Sequence, residues 1–560
     1  MERKQRPQAS QGARNAGAKS LAEAVTEIDQ EILRLLLKRH NLLEKIRHKG
    51  RLDAADERIM REAWQANVAK VSRDAELATR FFSLLQQISF LPRPGAKPAD
   101  SQPGAERREA FNLAPPRSPI QAEFICPLDQ RQSCSWLYLA ACAGAPLRIG
   151  PCLQNDALID CIKALVQLGG AITRDGEDIV ARNAAPVGAP DKVIHVGQDH
   201  YLLYLMVAHY LGRPSRVKLT GDADLHLTDL SFLRNLLPGL GARFINVVPK
   251  SSGLPARIES SGILPNGIVL PSDAPALFAQ ALLMAAPFYA APFAVDLGKL
   301  KERENILARA LPVLEAAGAV FSVQGSTISL DPSSPAIPEK PQIALDGELA
   351  SFLLGIAATL GGNIRLSGIW PDWPSIEPVN RIFTDLQWQR SGRGVELNAS
   401  AALQNFDAAK IECFAEWQDA LACALACASA LHGGFAKISQ ACAAKATSQD
   451  LATICGLRVA EDGKIEPGTP YTGPGWTAPT AAWGMALALV ACARKQGSVM
   501  ALTNPGIVTE LWPLFWVFYN SLPRPEFKKR QKPAEPAKER RRVITGAVAV
   551  PPKLKQEDWE

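Results

Sequence analysis

Six copies of one pattern run through the middle of the chain, and they constrain the fold more than any other feature. In each copy an Ala/Leu-rich helix ends near a glycine and a hydrophobic strand follows. The copies are LAACAGAPLRIG, AHYLGRPSRVKLTG, APFYAAPFAVDLG, ATLGGNIRLSG, ALHGGFAKIS and CARKQGSVMALTNPG. They recur about every seventy residues, a period longer than ordinary solenoid units. A second element alternates with them, a helix that runs into a small-residue turn and a strand pair. It reads LVQLGGAITRDGEDIVA, LLPGLGARFINV, LEAAGAVFSVQGSTISL and ICGLRVAEDGKIE. Each unit is therefore strand–helix–strand–helix–strand–strand, and the fold class is α/β.

The 560 residues flanking and including this repeat leave room for roughly three or four domains. Residues 1–19 read as a disordered tail, basic but without the apolar core of a secretory signal. Residues 20–92 read as an all-α three-helix domain. Leu21, Val25, Ile28, Ile32, Leu35 and Leu36 recur at helical spacing, and so long an apolar stripe calls for a second copy, hence a homodimer. Residues 93–112 are rich in Pro, Gly and charge and read as a linker. The repeats occupy 113–522. Residues 523–560 read as a basic disordered tail, and its KERRR cluster as a solvated segment rather than a nucleic-acid site. No unbroken apolar run of eighteen or more residues free of charge appears, so no membrane span is expected. The net charge of +6 sits largely in the tails. The eleven cysteines include no CxxC pair. Cys423 and Cys427, four apart on a helix, read as small buried hydrophobes. A reducing cytoplasm fits, and neither metal nor cofactor is expected.

Six such α/β units, three per lobe, resemble the enolpyruvyl transferase family, and within it the EPSP synthases. The resemblance implies a two-lobed scaffold of six βαβαββ repeats that closes over phosphoenolpyruvate and shikimate 3-phosphate. The stretch EIDQEILRLLLKRHNLLEKI and the Arg61–Glu62 pair resemble the all-helical type of chorismate mutase. Together the two resemblances imply a fusion serving the shikimate pathway of aromatic amino-acid biosynthesis. Its implied ligands are shikimate 3-phosphate, phosphoenolpyruvate and chorismate, and other pathway enzymes are implied partners.

Carried over residue by residue, the scaffold of the enolpyruvyl transferases matches better than its charges. The family's PGSKS…NR turn falls on CPLDQRQSCS. There Pro127 and Ser133 match, Gln130 stands at the lysine and Ser135 at the arginine. Arg131, one residue late, is placed to substitute in part. The GNAGTxxR turn keeps Gly197 but has Tyr204 for its arginine. The TGxxRMxxRP stretch keeps Thr220 and Gly221 but has Asp224 and Thr228 for its arginines. SSQF keeps only Phe278. Asp419 matches the catalytic aspartate, and Lys445 the lysine of KExDR. The C-terminal arginine falls near Ala482 and the C-terminal lysine near Glu510. The substrate-binding set this implies is Gln130, Arg131, Ser133 and Lys445, with Asp419 catalytic.

In the mutase-like segment the resemblance carries over Arg39, Arg61, Glu62 and Ser89, with Lys49 beside the expected lysine position and Ala22 where an arginine is expected. A charge-assisted hydrogen bond is worth roughly 1.5–3 kcal/mol. Losing about five of them removes several decades of rate at about 1.4 kcal/mol per decade. The reading is thus a fusion whose enolpyruvyl transfer is weak or lost. Two alternatives stand beside it. One is a working transferase with a rearranged site that uses Arg131, His195, His200, His226, Lys301, Asp419 and Lys445. The other is a non-catalytic scaffold or metabolite-binding regulator.

Overall fold

The computed structural model describes residues 111–113, 118–248, 251–473, 475–494 and 500–522, together with Glu31, Arg34, Leu35 and Lys38. The chain divides into two compact units, Met1–Glu106 and Arg107–Glu560. In the first, the four described residues are helical and exposed. The expected mutase-like residues Arg39, Lys49, Arg61, Glu62 and Ser89 lie outside the described residues.

The second unit is α/β and is built on six central helices. These are α1 (Gln130–Ala143), α2 (His200–Leu211), α3 (Ala276–Ala285), α4 (Gly347–Leu360), α5 (Glu416–Leu431) and α6 (Ala481–Ala491). They are apolar almost all round because they are covered all round. Every residue of α2 after His200 is buried, and so is every residue of α6 after Ala481. α3 packs on α1 and α2, whereas α4, α5 and α6 pack on one another. Two separate hydrophobic cores result. One is drawn from Cys134 to Ile343, the other from Leu113 to Leu153 and from Ala344 to Leu522.

The six units share one topology. The strand before each central helix runs parallel to the strand after it, the ordinary product of a strand–helix–strand crossover. Val193–His195 pairs in this way with Pro214–Thr220, Gly267–Val269 with Phe293–Asp296, and Phe406–Ala408 with Ala436–Ile438. In the other three units the pairing shrinks to single bridges: Leu128 with Cys152, Ala344 with Ile369, and Trp476 with Leu502. Five units then add an antiparallel strand pair, as the sequence pattern predicts. The sixth differs. Its strand Met500–Leu502 pairs antiparallel with Phe111–Leu113, so the start of the repeat region closes its end. Ile120–Ile125 likewise joins the second lobe, parallel to Gly362–Ser367.

The chain therefore crosses between lobes twice, near Cys126–Asp129 and near Ile343–Asp346. The two crossings lie side by side. Asp129 N–H donates to Ala344 O at 2.8 Å, and Asp346 N–H to Pro127 O at 2.8 Å. No helix among the described residues is long and apolar enough to cross a membrane. All eleven cysteines are free, and Cys423 and Cys427 are fully buried.

Candidate active site at the lobe junction

The crossings place the N-termini of α1 and α4 together. A helix N-terminus presents unpaired N–H groups and a positive dipole end, which suits an anion. Here the chain fills these positions itself. Asp129 Oδ1 accepts from Gln132 N–H at 2.8 Å, and Asp346 Oδ1 from Leu349 N–H at 2.9 Å. The N-terminus of α2 is closed the same way by Asp199, which accepts from Tyr201 N–H at 2.8 Å.

Arg309 enters the junction from the helix Arg303–Ala316. Its guanidinium lies 3.6 Å from Asp129 Oδ2 and 3.9 Å over the ring of Trp373, which belongs to the second lobe. Its Nε is buried without a hydrogen-bond partner. Burial pulls its pKa down to about 10, against the favourable pull of Asp129. A recess of about 580 Å³ opens beside Trp373 and is lined also by Glu377, Arg381, Lys410, Glu412 and Phe414.

Acids outnumber cations here. Burial, and then the charge of Asp129, push the Asp346 carboxyl up to about 7. Burial, then Asp346 and Glu416, push Glu348 up to about 8. Glu416 accepts Trp483 Nε1–H at 2.7 Å. Burial raises Asp199 as well, with Tyr201 N–H and Arg131 pulling the other way.

The residues expected from the sequence are partly brought together. Gln130 and Arg131 start α1 at the junction. Gln130 Oε1, however, accepts from Asn155 Nδ2 at 2.6 Å. Ser133 is fully buried, and its hydroxyl donates back to Asp129 O at 2.8 Å, so it offers nothing to a ligand. Ser135 is bonded to Tyr201 Oη at 2.7 Å. Tyr204 is buried edge-on to Phe232 and Phe278, so packing has taken over the arginine position. Ala482 is buried, while Asp224, Lys301 and Glu510 are exposed. On the second lobe, Asp419 Oδ2 and Lys445 Nζ are paired at 2.5 Å, the carboxylate 5% exposed and the lysine 46%. That hydrogen bond raises the lysine pKa. Asp419 is not the cap of α5. The N-cap is Ala415, which makes no side-chain cap, and Gln418 Oε1 reaches back to accept from Phe414 N–H at 2.8 Å.

Sequence reasoning missed Arg309, Asp346, Glu348 and Trp373. The signal for Arg309 was present: a lone arginine inside the apolar run ILARALPVL. The other three depend on which segments cross at the junction, and periodicity does not carry that.

Comparison with known proteins agrees with this architecture. The family model for EPSP synthase (3-phosphoshikimate 1-carboxyvinyltransferase) matches residues 115–431. The 3-phosphoshikimate 1-carboxyvinyltransferase of Methanoregula boonei is 25% identical over 275 residues, covering 48% of this chain and 64% of that protein. The enzyme of that name from Anaeromyxobacter dehalogenans is 25% identical over 255 residues, 45% of this chain and 56% of its own. The chain thus matches less than two thirds of the length of these relatives. Among solved structures, EPSP synthase from Acinetobacter baumannii superposes with a TM-score of 0.58 at 17% identity, over 73% of this chain and 96% of that one. The enolpyruvyl transferase NikO from Streptomyces tendae gives 0.51 at 14% identity, over 72% and 95%. These two speak for the fold. With the family model spanning more than half of the chain, from the first unit to the central helix of the fifth, the protein belongs to the EPSP synthase family.

Proposed function

We propose that this chain is a shikimate-pathway fusion, located in the cytoplasm. In this reading a chorismate mutase-like helical domain precedes an EPSP synthase-like domain. That second domain transfers enolpyruvyl from phosphoenolpyruvate to shikimate 3-phosphate weakly or not at all. The observation that carries it is the closure of the junction's helix N-termini by Asp129 and Asp346. A phosphate arriving there meets carboxylates instead of open N–H groups, and close like charges cost several kcal/mol in a site shielded from water. Gln130 and Ser135 replace cations and are engaged within the protein. The test is phosphate release by the purified full chain supplied with both substrates. The expected rate is background, and an enzyme-like rate refutes the reading. Chorismate-to-prephenate conversion, followed in parallel, tests the mutase-like half.

The Asp419–Lys445 pair favours a second reading, a working transferase with a rearranged site. A buried carboxylate against an ammonium group is a competent proton-handling pair. If that reading holds, Asp419→Asn abolishes a turnover that the unaltered chain displays. An inactive parent ends it.

A further inference from the structure

The second unit of the first lobe holds a group of side chains of which the rearranged-site reading takes only His195. His195 is the last residue of Val193–His195, and Asp222 lies two residues beyond Pro214–Thr220. Both stand at the carboxyl ends of a parallel strand pair, where α/β sheets bind ligands. Asp160 reaches them from the helix Asp156–Gln167. One imidazole nitrogen and one oxygen of each carboxylate lie within 4.8 Å of one another. His195 Nε2 is 3.7 Å from Asp222 Oδ1. Asp160 is 7% exposed, and Lys163 Nζ lies 3.0 Å from its Oδ1. Its Oδ2 occupies space that Gly197 leaves open, since a Cβ there would stand 2.1 Å away.

The orientation of the imidazole is the second, independent observation. Thr220 Oγ1 lies 3.4 Å from Ile194 O and 3.4 Å from His195 Nδ1. The ring is thereby held with Nδ1 toward Thr220 and Nε2 toward the Asp222 carboxylate. A hydrogen-bonded second nitrogen is also how metal-binding histidines are held.

We propose that Asp160, His195 and Asp222 hold a divalent transition-metal ion of the zinc or manganese class. One nitrogen and two oxygen donors suit those ions, whereas magnesium and calcium favour oxygen alone. Three protein ligands leave a coordination position open. Asp224 and Thr228, which stand at expected arginine positions, follow at the start and the far end of the short helix that Asp222 opens. A bound dication therefore adds positive charge to the segment that lacks those arginines, with an open position for an oxyanion. The site itself does not depend on the fate of the transferase reading, because its test uses metal alone.

The experiment is calorimetric titration of the chelator-treated full chain with zinc, manganese and magnesium chlorides near neutral pH. The expected result is one zinc or manganese ion bound per chain, with magnesium far weaker. His195→Gln and Asp222→Asn each remove a ligand from side chains 41% and 33% exposed, so the fold tolerates both. Each is expected to weaken binding by at least about 10–100-fold, the range seen even for the outer partners of ligands. Asp224→Asn, an exposed carboxylate on the same turn, is expected to leave it unchanged. Cobalt in place of zinc is expected to give visible bands that His195→Gln abolishes, without the charge-transfer absorption of sulfur ligands. No binding tighter than about 0.1 mM, some 5–6 kcal/mol, overturns the proposal. So does binding that survives both ligand substitutions, because the histidine is then merely protonated or the metal sits elsewhere.

Discussion

Asp129 and Arg309 form a buried pair at the lobe junction, and the two halves of that pair are predicted to be unequal. Both side chains are nearly covered, 12% and 13% exposed. Asp129→Ala removes the cap on Gln132 N–H, worth about 1 kcal/mol. It also strands a guanidinium in a dry site. Breaking a buried pair from one side costs about 3–5 kcal/mol. The 3.6 Å separation and the remaining Asp346 place this case at the low end, and incomplete additivity leaves a total of about 3 kcal/mol. Arg309→Met behaves differently. The junction already opposes the charge, since burial lowers the arginine pKa from 12.5 to about 10. At about 1.4 kcal/mol per unit that is roughly 3 kcal/mol of relief when the charge goes. Against it stand a stacking contribution of about 1–2 kcal/mol with Trp373 and the packing lost with the longer side chain. The expected net change is within about 1 kcal/mol. The sharper expectation concerns the double variant. With no stranded guanidinium, Asp129→Ala/Arg309→Met is expected to be about 2 kcal/mol more stable than Asp129→Ala alone. Urea unfolding of the full chain, followed by tryptophan fluorescence, reads all three. Additive effects, or an Arg309→Met loss as large as that of Asp129→Ala, refute the account of the junction.

Three further outcomes follow from the same geometry. Glu348, whose carboxyl is raised from 4.5 to about 8, keeps a proton in the folded chain that the unfolded chain has shed. Stability therefore falls as pH rises through that window; Glu348→Gln is expected to match the parent in melting temperature near pH 4.5 and to exceed it above pH 8. Asp346→Asn keeps the cap on Leu349 N–H and is expected to remove a similar decline between 3.8 and about 7, so an unchanged pH profile in thermal melts counts against the burial argument. Gly434→Ala sets a Cβ 1.3 Å from Gln404 O, a clash with backbone that no rotamer relieves; its soluble yield is expected to collapse, and a normal melt contradicts the close approach.

The repeat was legible because its signal is redundant. A helix covered on all sides must be apolar on all sides, as α2 and α6 are, and six such segments followed by strands leave few alternatives to two three-unit lobes. Asp129 was legible as a residue but not in its role. A turn before a helix reads as an anion site, and only the crossing of the two inter-lobe segments shows the carboxylate turned inward on Gln132 N–H and Arg309. The pairing of Phe111–Leu113 with Met500–Leu502 was likewise out of reach, because partners that far apart leave no trace in local period. Arg309 and Trp373 meet for the same reason, one from each lobe.

Closing a helix N-terminus and leaving it open for a ligand are competing uses of the same N–H groups. An aspartate cap contributes about 1 kcal/mol, and its charge against the dipole adds about 0.3–1 kcal/mol. A terminus kept open for phosphate has neither until the phosphate arrives. With Asp129, Asp199 and Asp346 in place, α1, α2 and α4 are stabilised in the unliganded protein by contacts that an oxyanion would have to displace. Such a gain in stability at the expense of a strained, open site is the usual direction of the trade between the two. The apolar faces that hold α3 on α1 and α2, and α4 on α5 and α6, lie along the helix bodies, whereas the aspartate caps sit at the ends. The family's α/β fold therefore stands around a junction whose helix N-termini are capped by carboxylates. The one mixed nitrogen–oxygen cluster found among the described residues draws His195 and Asp222 from the ends of a parallel strand pair and Asp160 from a helix.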